Sequence, residues 1–141
     1  MKKSNSLALS TDNLKSRIYT IRGMQVMLDA DLAELYDVET KVLNQAVKRN
    51  SERFPEHFMF QLTDSEYKSL RLQIVTLETG RGAHRKYLPY VFTEQGVAML
   101  SGVLKSNTAV RISIQIISAF VAMRKFILSN AQIFRDIPRI K

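Results

Sequence analysis

The chain has 141 residues, 45% of them hydrophobic, which suits one folded domain with a single core and short appendages. It contains no Cys, so a disulfide framework and thiolate metal sites are excluded. Lys and Arg number 21 against 13 acids, a formal net charge of +8, which favours a polyanionic partner without deciding between DNA, RNA and membrane.

Residues 1–15 are polar, rich in Ser, Asn and Lys, and without periodicity; they read as a flexible arm. Their apolar stretch is too short for a signal peptide, and no apolar run nears the ~20 residues that span a bilayer. The expected location is the cytoplasm, associated with the nucleoid, with no membrane partner.

Two β-prone runs, 18–21 and 24–28, flank Arg22-Gly23 and predict a short hairpin with Gly23 at positive φ. Asp29 offers an N-cap, and DADLAELY carries its acids in the first turn, where the helix dipole favours them. A second helix is expected over 40–50, stopped by Phe54-Pro55 because the residue before proline avoids the α region. Phe58, Phe60 and Leu62 alternate with Met59 and Gln61, the pattern of a short strand.

Thr63-Asp64-Ser65-Glu66 is a capping box, with Leu62 and Tyr67 placed for a hydrophobic staple, so a helix is predicted over 64–73. Residues 74–77 and 87–92 read as strands joined by a Gly- and Arg-rich loop. Thr93 can cap a helix through Leu104, and Ser106 or Asn107 a longer one over 108–128, which leaves a short basic tail at 129–141. These elements make one α+β domain over 16–128: a helix-turn-helix, short β-hairpins and a long C-terminal helix.

The helix-turn-helix spans 29–50. Its first helix needs an apolar residue, a small one, and another apolar residue a turn later; Leu32, Ala33 and Tyr36 fit. Asp37 stands where the turn requires the left-handed region, which Asp visits at modest cost. Val38 packs back into the corner, and Leu43, Ala46 and Val47 form the inward stripe of the second helix. Its outer face then holds Lys41, Asn44, Gln45 and Lys48, with Arg49 near the edge and Arg53 beyond. Asn and Gln amides bond adenine edges, whereas Lys and Arg reach guanine or phosphate. Two amphipathic helices with a solvated polar face would produce the same pattern.

Arg81, His84, Arg85 and Lys86 lie in the loop with Gly80 and Gly82, without an acid between Arg81 and Lys86. Flanked by strands, this segment reads as a β-wing along a phosphate backbone or in a minor groove, or equally as a solvated hairpin tip. His57 and His84 have no companion ligand at metal spacing, and no Ser, Thr or carboxylate pair stands in a catalytic pattern. No metal, cofactor, small-molecule substrate or enzymatic activity is expected.

The long helix carries two apolar stripes, Val110, Ile114, Ile117 and Val121 on one, and Ile112, Ile116, Ala119, Phe120 and Met123 on the other. That exceeds the single face of a surface helix, so either the helix is central or its second face forms a homodimer through 108–128.

The stretches DADLAELYDVETKVLNQAVKRNSERFPEHFMFQLT and GRGAHRKYLPYVFTEQGVAML, with a helix ending AFVAMRK, resemble the phage-type KilA-N/Bro-N group. Within it the chain is most similar to the branch named for the sixth-open-reading-frame N-terminal domain, over about residues 18–126. The resemblance implies an N-terminal DNA-binding domain of phage, prophage and bacterial regulators, often followed by a further C-terminal region. It implies a DNA-contact role for the polar positions of helix 40–50 and for loop 81–86.

The leading expectation is a regulator or antirepressor-like protein that binds duplex DNA. The alternative is a protein-interaction module that titrates a repressor without reading DNA. From Lys105 onward seven basic residues face one acid, Asp136, which favours the polyanion. An RNA binder ranks lower, because no aromatic, glycine-spaced strand is present to stack bases.

Overall fold

The computed structural model of the chain describes residues 10–74 and 87–136, with side chains as far as 131. In chain order the elements are α1 (Thr11–Lys15), β1 (Tyr19–Ile21), β2 (Met24–Leu28), α2 (Asp29–Tyr36), α3 (Thr40–Arg49), a 3₁₀ turn (Ser51–Arg53), β3 (Met59–Gln61), α4 (Asp64–Ile74), β4 (Tyr90–Phe92), α5 (Glu94–Leu104) and α6 (Asn107–Asp136). This is an α+β fold around a four-stranded antiparallel sheet of order β1-β2-β4-β3.

Strand alternation divides the core between the two faces of that sheet. Met27 and Phe92 point to one side, where Leu32, Ala33, Leu35, Tyr36, Leu43, Val97, Ile116 and Phe120 close around them. Val26, Phe60 and Val91 point to the other side and meet Ile21, Leu62 and Leu70, with Tyr67 partly buried beside them. Consecutive residues of β2 and β4 are thus buried on opposite faces, so the central strands read as continuous apolar runs. Helices α2, α3, α5 and α6 cover the first face and α4 the second.

The β1–β2 hairpin pairs Ile21 with Met24. Both of its turn residues have positive φ, Arg22 at 56° and Gly23 at 76°, the geometry whose twist matches the flanking strands. The capping box at α4 forms as expected: the Thr63 N–H donates to Glu66 Oε1 at 2.9 Å, and the Glu66 N–H donates to Thr63 Oγ1 at 3.1 Å. Arg22 reaches across to the same carboxylate through Nε at 2.8 Å and stacks over the Phe60 ring at 4.1 Å, which ties the hairpin to α4.

Several expectations need correction. Residues 11–15, which composition assigns to a flexible arm, form α1: Ser10 caps it by accepting from the Asn13 N–H, and Leu14 sits in the core at 1% exposure. A helix this short holds through tertiary packing, here against α6. Helix α6 runs on to Asp136 instead of stopping before Ser129-Asn130, because neither residue is a helix breaker and the next proline is Pro138. Ile74 closes α4 instead of opening a strand, and of 87–92 only Tyr90–Phe92 is paired. The rest of strand 74–77, the loop to Lys86 with its proposed wing, and residues 1–9 and 137–141 lie outside the described residues.

The two stripes of α6 differ most in their first members, since Ile117 of the first stripe is still packed against the core. Ile112, Ile116, Ala119 and Phe120 are buried, so that face is central to the fold, whereas Val110 and Ile114 are exposed. The expected absence of a long apolar run also needs amending. Within Asn107–Ala131 an 18-residue stretch reaches a mean hydropathy of 1.5, enough by length and composition to cross a membrane, with 28% of that stretch buried. Part of that apolarity is used in packing against α1, α2 and α5.

Candidate nucleic-acid interface

The placement of α3 begins with the end of α2. Asp37 adopts φ 62°, ψ 45°, and its N–H donates to the Glu34 carbonyl at 3.1 Å while the Val38 N–H donates to Ala33 at 3.0 Å. These two bonds form a Schellman motif, which satisfies the last carbonyls of α2 and turns the chain sharply into α3. Leu43 at 0% and Val47 at 4% exposure anchor α3 to the core, beside Ala33, where a larger residue would hold the two helices apart.

A second tie was not foreseen. Asp29 is the first residue of α2, with Leu28 in the N-cap position, because β2 runs into the helix without a loop. Its carboxylate is 1% exposed, accepts from the Ala30 N–H at 2.8 Å, and meets the Tyr90 N–H at 3.3 Å. It also accepts from Asn44 Nδ2 at 3.0 Å. Asn44 is therefore half-buried and committed to holding α3 against α2 and β4, rather than displayed on the outer face. The 15-residue separation of these partners leaves no local mark in the sequence.

The remaining α3 candidates are brought together. Lys41, Gln45, Lys48 and Arg49 are exposed on one side of the helix, and Arg53 is exposed in the 3₁₀ turn just after it. That turn is fixed by the Arg53 N–H donating to the Asn50 carbonyl at 2.9 Å and by buried Phe54, set edge-on to Phe92. Among the described residues none of these four cations has a carboxylate partner, whereas Arg17, Arg22 and Arg124 are all paired with acids. Lys48 and Arg49 also complement the dipole in the last turn of α3. The acids Asp37 and Glu39 in the preceding turn would repel phosphate, so the attractive surface runs from Lys41 toward Arg53.

Val42 belongs to this face and was overlooked. It is 45% exposed and lies outside the inward stripe of Leu43, Ala46 and Val47. Arg81, His84, Arg85 and Lys86 lie outside the described residues. Elsewhere, Tyr36 donates to or accepts from Ser113 at 2.6 Å in the core, and burial raises its phenol to about 12. Among the described residues no group of three His, Asp or Glu side chains is placed to hold a metal ion.

No curated protein and no solved structure matches the chain. The ORF6N domain matches residues 16–103, a stretch that contains the hairpin, α2, α3 and the sheet with α5 nearly entire, and the chain therefore belongs to the ORF6N domain family.

Proposed function

We propose that the chain binds duplex DNA non-covalently, with α3 as recognition helix, and serves in a phage- or prophage-type regulator, transcriptional or antirepressor-like. The observation that carries this reading is the exposed face of α3 and its following turn. Lys41, Lys48, Arg49 and Arg53 stand there without carboxylate partners among the described residues, around the uncharged amide of Gln45. The cations suit phosphate or guanine, and the amide suits an adenine edge. Membership of the ORF6N family agrees with this assignment and with the KilA-N/Bro-N kinship that the sequence suggests. Loop 81–86 joins the proposal as a second contact to the DNA backbone. The cell compartment is the cytoplasm, on the nucleoid; no catalysis and no membrane insertion are part of the reading.

A homodimer through α6 is compatible with it, but on a different face from the one first considered. Ile112 and Ile116 are core residues, so pairing would use Val110, Ile114 and Leu128, which are exposed on one side of the helix. The same apolar surface favours the second reading, an interaction module whose partner is a protein.

Fluorescence anisotropy on a duplex selected from a random library and on a scrambled one, at several salt concentrations, separates the two. Under the proposal both duplexes bind and weaken with salt, and Lys48→Ala lowers the salt slope by about one unit on each. Gln45→Ala costs about 1–3 kcal/mol on the selected duplex alone. A wild-type chain that binds no duplex leaves the interaction module as the better account.

A further inference from the structure

Every exposed residue of α3 is polar except Val42. It is the third residue of the helix and 45% exposed, whereas Leu43 and Val47 are buried on the other side. A valine in that setting has a helix propensity below that of the common alternatives and leaves apolar surface in water. One exposed apolar side chain is ordinary on a protein surface. Its position is what matters, since the N-terminal residues of a recognition helix come nearest to the base edges.

We infer that Val42 packs against the C5-methyl group of a thymine in the major groove, and so helps to select a thymine-containing site. The inference rests on the DNA-binding reading of this face. That methyl is the one apolar group on the major-groove edge of the base pairs, and a side chain without a polar atom can recognise nothing else there. Valine is short and stiff about χ1, so the contact requires the first turn of α3 to enter the groove deeply. Gln45, one turn further along the same exposed face, is placed to bond a neighbouring adenine, while Lys41 and Arg49 flank the pair.

The test takes the duplex preferred by the wild-type chain and replaces each thymine in turn by deoxyuridine, which removes only the methyl. Affinities are measured for wild type and for Val42→Ser, whose fold is checked by circular dichroism. One substitution should weaken wild type roughly fourfold, the worth of one buried methyl, and leave Val42→Ser unaffected. If the duplex is bound specifically but no uracil discriminates wild type from Val42→Ser, the thymine contact is wrong and the DNA reading stands. If no duplex is bound at all, both fall.

Discussion

Removal of the Asp29 carboxylate tests how α3 is held. In Asp29→Ala the Asn44 amide loses a 3.0 Å acceptor and the Tyr90 N–H a 3.3 Å one, both in a site where the carboxylate was 1% exposed. A donor stranded in such a place costs about 1–3 kcal/mol, and α2 also loses an acid from its first turn, worth about 0.3–1 kcal/mol. The sum is about 2–7 kcal/mol, a large part of the roughly 5–15 kcal/mol that stabilises an ordinary domain. Asn44→Ala, which removes one of these bonds and leaves the other donors satisfied, should cost about 1–2 kcal/mol. Urea denaturation of both single variants and the double variant forms a cycle, with an expected coupling of at least ~1 kcal/mol. Costs that add within about 0.3 kcal/mol would mean that the bond does not hold α3. The same variant settles the role of Asn44: a base-reading amide would change sequence preference at unchanged stability, whereas a clamp loses stability first.

Three further outcomes follow from the geometry. A Cβ on Gly96 would overlap the Phe58 carbonyl oxygen, so Gly96→Ala should force α5 off β3 and lower stability by about 2–3 kcal/mol, whereas Gly102→Ala, with open space around it, should raise the urea midpoint slightly. Because Asp37 is left-handed, Asp37→Gly should be neutral or mildly stabilising and Asp37→Val should cost ~1 kcal/mol or more; equal urea midpoints for all three forms would contradict the turn. The Arg22 side chain and then the Thr63 N–H hold the Glu66 carboxyl down at about 2, against an ordinary 4.5. Its stabilisation is therefore complete above pH 4.5 and is lost as the pH falls toward 2, and Glu66→Gln should flatten the stability profile within that window.

What the sequence revealed depended on how local the cause was. The Thr63–Glu66 box, the Gly23 turn and the Asp37 corner are settled within a few residues, and each stands where its pattern put it. Strand alternation in 58–62 likewise located β3, and 3.6-residue spacing located the core stripe of α6. The failures are tertiary. Asn44 lies at the border of the α3 helical wheel, where spacing cannot say whether it faces solvent or a carboxylate from another element. The ion pair of Arg22 with Glu66, 44 residues away, is equally silent. Helix α1 lacks a periodic signal because five residues are too few to show one, and only Leu14 in the core sustains it. Val42 was missed for another reason: it belongs neither to the inward stripe of Leu43, Ala46 and Val47 nor to the polar residues of the outer face, and only the fold shows that it is 45% exposed.

The construction of α3 has a consequence for affinity under the DNA-binding reading. The helix is fixed from three directions, by the Asp37 turn, the Asp29–Asn44 bond and the buried Leu43 and Val47, so its backbone is rigid while Lys41, Gln45, Lys48 and Arg49 remain free to reorient. Little ordering of the main chain is then needed on binding, and most of the entropic loss falls on the long side chains. Four phosphate contacts from Lys41, Lys48, Arg49 and Arg53 correspond to a salt slope of about −3.6, well short of the slope near −10 known for a tight dimeric repressor. A single copy on this face alone would accordingly hold DNA weakly at physiological salt. Tight binding calls for either loop 81–86, which carries Arg81, Arg85 and Lys86, or a second copy reading a half-site about 34 Å away. The two differ in a measurable way. The loop adds up to about three units of salt slope at a fixed protein stoichiometry, while a second copy makes binding steepen with protein concentration and depend on the spacing of two half-sites.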